Sequence, residues 1–154
     1  MPSLNEGFLH TLARLGATMA LLAFSTVTAQ AQTVGVRAGA SARPDQFYFG
    51  AHLETPPVAD RLRFRPNVEI GVGNDLTVFA FNFEFAYHFE SPSAWNVYVG
   101  GGPALNIIDR ARRNDTEGGF NILVGVAHRD GFFVEIKGGM LDSPNFKFGV
   151  GYAF

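Results

Sequence analysis

The chain has 154 residues, a formal charge of -2 at neutral pH, 47% apolar residues and no cysteine. That length is one domain by the usual prior, and the charge leaves no basic footprint for a nucleic acid. Without thiols there is neither a disulfide framework nor a thiolate metal site.

Residues 1–14 form a polar stretch ending in Arg14, and residues 15–27 (LGATMALLAFSTV) are an apolar run. The run has signal-peptide length and is too short to cross a bilayer as a helix. Ala29-Gln30-Ala31 then supplies a small-x-small cleavage pattern. The expectation is a signal peptide over 1–31, cleaved after Ala31, and an exported mature chain with one domain over 32–154.

Beyond Gln32 the pattern has a period of two, which is that of a strand with unlike faces. Eight such segments are predicted: 33–41, 46–54, 62–73, 76–89, 95–108, 118–129, 132–141 and 145–154. The fourth is the clearest. Phe79, Phe81, Phe83, Phe85, Tyr87 and Phe89 share one face, and Ala80, Asn82, Glu84, Ala86 and His88 the other. The last, NFKFGVGYAF, sets Phe146, Phe148, Val150, Tyr152 and Phe154 against Asn145, Lys147, Gly149, Gly151 and Ala153. Connections are short and rich in turn residues, such as ND at 74–75 and DG at 130–131; only 109–117 (DRARRNDTE) is longer. Pro66 and Pro103 fall inside strands and cannot donate to a ladder, so a bulge or local unpairing is expected at each.

Eight antiparallel strands in this length fit a soluble barrel with its greasy face inside, or an outer-membrane barrel with that face outside. Side-chain volume separates the two. The interior of an eight-stranded barrel is only wide enough for side chains to fill. The polar face is repeatedly glycine or alanine, including Gly35, Gly39, Gly50, Gly71, Gly73, Gly125, Gly149 and Gly151, whereas the other is dominated by phenylalanine. The rings therefore face outward, into lipid. An even strand count puts both ends of the mature chain on one side, which the usual rule of short periplasmic turns makes the periplasm, and Tyr87, Phe89, Trp95, Phe132, Tyr152 and Phe154 are expected to form an aromatic girdle there.

With its export signal, eight alternating strands and the C-terminal FKFGVGYAF, the sequence resembles the small eight-stranded outer-membrane β-barrel family across the whole mature chain. The resemblance implies an all-β, antiparallel up-and-down transmembrane barrel in the cell outer membrane. It also implies that the barrel-assembly machinery reads the last strand, with Tyr152 and Phe154 as the main signal positions.

A two-residue turn at Asn74-Asp75 sets Gly73 opposite Leu76 and, counting back, Glu69 opposite Ala80, Asn67 opposite Asn82 and Arg65 opposite Glu84. For the second and third strands the expected register places Glu54 opposite Arg63 and His52 opposite Arg65, with Arg37 one strand over. An interior polar network of Arg37, His52, Glu54, Arg63, Arg65, Glu69 and Glu84 is predicted, with Glu135, Lys137 and Lys147 on the far strands. In so narrow a lumen it reads as a packed plug of paired charges, because an unpaired buried charge costs roughly 3–5 kcal/mol.

Some small outer-membrane barrels are lipid A-modifying enzymes that use histidine with serine and an acidic residue. No His-x-Ser occurs in the mature chain, and His88 with Ser91 is the nearest approach. No histidine and carboxylate cluster has metal-ligand spacing. No catalytic, metal or cofactor site is therefore assigned. Arg110, Arg112 and Arg113 lie in the longest connection, expected outside the cell, where guanidinium groups suit the phosphates of lipopolysaccharide. The reading is a monomeric structural or envelope-associated barrel without a wide channel, whose partners are outer-membrane lipid, lipopolysaccharide and, during biogenesis, the assembly machinery. The alternatives are a lipid A-modifying enzyme and a soluble periplasmic lipocalin-like ligand-binding barrel.

Overall fold

A computed structural model describes residues 32–110 and 113–154, with Arg113 in its backbone alone. The expected signal peptide and its cleavage site lie outside the described residues. Nine strands are present among those described: β1 (Thr33–Ala42), β2 (Gln46–Glu54), β3 (Pro57–Ala59), β4 (Leu62–Gly73), β5 (Leu76–His88), β6 (Trp95–Arg110), β7 (Arg113–His128), β8 (Phe132–Leu141) and β9 (Phe146–Ala153). Eight of them form a closed antiparallel barrel. Each pairs with its sequence neighbour, β2 passes over to β4, and β1 pairs with β9 to seal the ring. The three-residue β3 only lines the edge of β4 at one rim.

Two differences from the sequence reading concern connections. The described residues of the 109–117 segment are strand, not loop: β6 and β7 stay paired as far as Arg110 opposite Arg113. The longer connections lie at the opposite rim, where β1 begins and β9 ends, over 55–61 and 89–94. That rim is called proximal below and the other distal. The physical reason is that 109–117 contains no glycine or proline to stop a ladder, so pairing runs on.

The Asn74-Asp75 turn joins β4 to β5, with Asp75 at φ 57° in the left-handed region that Asp tolerates. It sets Gly73 against Leu76, Asn67 against Asn82 and Arg65 against Glu84, as the turn geometry requires. The β2–β4 register differs by two residues from the expected one: His52 lies opposite Asn67, and Gln46 opposite Gly73. The seven-residue connection there has no tight turn to dictate pairing, so counting from the sequence missed it. Proline effects are local. The β4–β5 ladder runs unbroken past Pro66, whereas β5–β6 pairing lapses at Phe83 and Glu84, opposite Pro103 and Gly102, and resumes in the same register.

Sidedness is unambiguous. The four rings of Phe79, Phe81, Phe83 and Phe85 are each 40–49% exposed on the outer surface. Arg37, Arg65, Glu69, Glu84, Glu135, Lys137 and Lys147 are buried inside. A lipocalin-like barrel would show the reverse.

The inner glycines have a packing reason. Large inward rings lie across glycines of the neighbouring strand: His52 on Gly35, Tyr98 on Gly125, Phe133 on Gly151 and Tyr48 on Gly39, the Tyr48 hydroxyl reaching one strand further to Gly149 of β9. A Cβ at Gly125 would sit 2.1 Å from the Tyr98 ring, and one at Gly151 2.3 Å from that of Phe133. Close packing leaves no room for such an atom.

Candidate functional site

The lumen holds the polar side chains that strand alternation turns inward, in three layers. The central layer is ionic and centres on two carboxylates. Glu135 of β8 accepts from Arg37 Nη1 at 2.7 Å, Arg65 Nη1 at 2.7 Å and the Tyr98 hydroxyl at 2.8 Å. Glu69 of β4 accepts from Lys147 Nζ at 2.6 Å and Lys137 Nζ at 3.2 Å. Lys137 also donates to Glu84 at 2.8 Å and lies 3.5 Å from Glu135, which joins the two groups. Cations also rest on rings: Arg65 stands 4.9 Å from the Tyr98 centroid and Lys147 5.3 Å from that of Tyr48. Arg65, Glu69, Glu84, Glu135, Lys137 and Lys147 are thus each bonded across the lumen. Pairing of this kind offsets the cost of removing charge from water.

Among the ions runs an amide ladder. Asn67 Nδ2 donates to Glu84 Oε2 at 2.8 Å, Asn82 Nδ2 to Asn67 Oδ1 at 2.7 Å, and Asn121 Nδ2 to Asn82 Oδ1 at 2.8 Å. At the proximal rim lies a vestibule of about 100 Å³, lined among others by His52, Glu54, His88, His128, Arg65 and Tyr98. Glu54 there meets Arg63 at 3.2 Å, Arg65 at 3.5 Å and His88 at 3.6 Å.

Of the seven residues named from the sequence for the interior, Arg37, His52, Glu54, Arg65, Glu69 and Glu84 lie in this lumen, and Arg63, a third exposed, stands at the proximal rim against Glu54, with differences in how they pair. Arg65 and Glu84 are opposite in the ladder but do not pair side chain to side chain. Arg65 reaches across to Glu135, and Glu84 to Lys137 and Asn67. Cross-strand neighbours on an inner wall point along converging radii, so their long side chains meet partners from the far wall first. His52 joins no ion pair: it lies edge-on to Phe133, with Nδ1 unpartnered among the described residues. Sequence reasoning missed Tyr98, Tyr48 and the asparagine ladder as members of the network. The inward parity of Asn67, Asn82 and Asn121 was the available signal.

Among the described residues the histidines do not assemble with serine. His88 stacks on Tyr98 at 5.2 Å and faces Glu54, while the Ser91 hydroxyl accepts from the Ser93 amide at 3.2 Å. His128 Nδ1 accepts from the Asp130 amide at 3.3 Å. Among the described residues no group of three histidine, aspartate or glutamate side chains is arranged to hold a metal. At the distal rim Arg110 pairs with Asp115 at 3.0 Å, Arg112 lies outside the described residues, and so does the side chain of Arg113. Tyr152 and Phe154 stand outward at the proximal rim, ring against ring at 5.2 Å.

No family model matches the chain, and no curated protein matches it in sequence. Solved structures match in shape. The N-terminal β-barrel domain of Pseudomonas aeruginosa OprF is similar with a TM-score of 0.62 and 16% identity, covering 80% of this chain and 96% of that one. Neisserial surface protein A (NspA) gives 0.55 and 15% over 80% and 96%. The outer membrane enzyme PagL gives 0.54 and 13% over 79% and 98%. At these identities the likeness is one of fold, and the fold is the closed eight-stranded barrel of small outer-membrane proteins.

Proposed function

We propose that the chain is an integral outer-membrane barrel of structural or envelope-associated role, spanning the bilayer with residues 32–154 and plugged by its own side chains. The observation that supports this reading is the inversion of sidedness: an outer belt of exposed aromatic and aliphatic side chains around an interior of paired ions. In water such a surface is an aggregation liability, and in lipid it is the required one. Closure satisfies every strand where no water can. Export follows from the segment 1–31. The proximal rim faces the periplasm, as the resemblance implies for both ends of the mature chain, although its connections over 55–61 and 89–94 are longer than those of the distal rim. Tyr152 and Phe154 serve as assembly-signal positions, and Arg110, Arg112 and Arg113 meet lipopolysaccharide phosphates.

The barrel acts without catalysis. A lipid-cleaving site of the serine–histidine kind needs the two side chains within hydrogen-bond reach, whereas His88 and Ser91 are each engaged elsewhere. The test is gel migration of unheated and heated samples from separated inner and outer membranes. A compact band in the outer-membrane fraction that slows on boiling is expected. Recovery of the mature chain in the aqueous fraction, or one mobility at every temperature, overturns the reading.

A further inference from the structure

The distal mouth of the lumen differs from the layers beneath it. There Leu76 and Val78 of β5 and Ile108 of β6 form one aliphatic wall of a cup of about 240 Å³. The turn after β8 folds over the opposite side. Its backbone is tied to the barrel wall by Asn106 Nδ2, which donates to the Asp142 carbonyl at 3.1 Å. That turn carries Ser143 into the cup's lining, where it is 5% exposed and its hydroxyl has no partner among the described residues. A buried, unmatched hydroxyl costs about 1–3 kcal/mol unless something bonds to it.

Two opposite charges complete the cup. Arg43, in the β1–β2 turn, and Glu117, on β7, both line it, and neither side chain is engaged by another described residue. Arg110, also in the lining, is held by Asp115. The lining as a whole carries two arginines and two carboxylates, so it exerts no net pull on an ion of either sign. It contains no aromatic ring, hence no stacking platform for a sugar or nucleobase. The volume is about eight times that of a water at roughly 30 Å³, and below the 300–1,000 Å³ usual for larger organic ligands.

We propose that this cup binds a small aliphatic zwitterion of the size of a free branched-chain amino acid. The alkyl group lies on Leu76, Val78 and Ile108, the carboxylate turns to Arg43, the ammonium to Glu117, and the Ser143 hydroxyl supplies a further hydrogen bond. Each feature selects against a competitor. A fatty acid leaves Glu117 facing a carboxylate, an alkylamine leaves Arg43 facing an ammonium, and glycine leaves the aliphatic wall uncovered. The assignment is independent of which rim faces the cell exterior.

The experiment uses the full mature barrel refolded in detergent micelles and reads the methyl resonances of Leu76, Val78 and Ile108 during titration with L-leucine. Saturable shifts confined to these methyls are expected, and 4-methylpentanoate, isopentylamine and glycine should each bind more weakly. Arg43→Gln and Glu117→Gln should each weaken leucine about tenfold, the loss of one charge-assisted contact. Arg61→Gln, at the opposite rim, should leave the titration unchanged. Arg43 is exposed and Glu117 partly so, and the heat-dependent gel shift verifies that both variants fold. Absence of saturation, an equal response to 4-methylpentanoate, or an Arg43→Gln barrel that titrates like the parent overturns the assignment.

Discussion

Glycine at an inward position is where this barrel is least forgiving. Tyr98 fills the lumen only because Gly125 leaves its ring a place to lie, and the ring's hydroxyl must stay there to donate to Glu135. Gly125→Val should therefore cost about 1–3 kcal/mol, the usual penalty of forcing atoms into a filled core. Gly138, on the outer face of β8, is the control, because a Cβ there meets nothing within 4 Å. Gly138→Ala should stay within about 0.5 kcal/mol of the parent. Urea unfolding in lipid vesicles, followed through the single tryptophan, Trp95, measures both. Equal penalties would remove the steric account of the inner glycines. The sequence showed that small residues belonged inside, but not which ring each accommodates, since that depends on register.

At the level of the strand, β5 carries the sidedness argument most plainly. Phe83 lies mid-strand on the outer face, directly beside the buried Glu84. Phe83→Arg should cost about 2–4 kcal/mol in a bilayer, whereas Phe83→Leu, which keeps an apolar surface, should cost less than about 1.5 kcal/mol. Comparable losses in the same urea assay would mean that this face does not meet acyl chains. Asn82 is no neutral neighbour for comparison, because its amide bonds both Asn67 and Asn121. Strand existence, facing and most boundaries were legible because alternation is a local property of the chain. Hairpin register was legible only where a turn is two residues long, as at Asn74-Asp75. Across 55–61 a seven-residue span without a tight turn left it open, and across 109–117 polar composition was mistaken for a loop although no glycine or proline there breaks a ladder.

Across the whole molecule, stability depends on bonds that span the lumen, which no sequence pattern announces. Lys137 on β8 and Glu84 on β5 are 53 positions apart in sequence, yet Nζ stands 2.8 Å from Oε1. Glu84→Ala should destabilise by about 3–5 kcal/mol by leaving a buried ammonium short of an acceptor. Adding Lys137→Met should recover part of that loss, with a coupling of roughly 0.5–3 kcal/mol, while adding Arg65→Ala should recover none. A purely additive Glu84–Lys137 double variant in equilibrium unfolding would reject the pair. Pairing of this kind was invisible beforehand because parity tells which side chains enter the lumen, but not which meet at the axis. The seam adds a constraint of its own. Arg37 stands on β1 and Glu135 on β8, with β9 between them, so their contact presupposes that the first and last strands have met. Before that moment the same sheet has one oily side and one ionic side, a shape suited to lying along a membrane and barred from crossing it. Shutting the seam and drying the ions are thus a single event, and the last strand to dock decides when a surface-bound sheet becomes a spanning one.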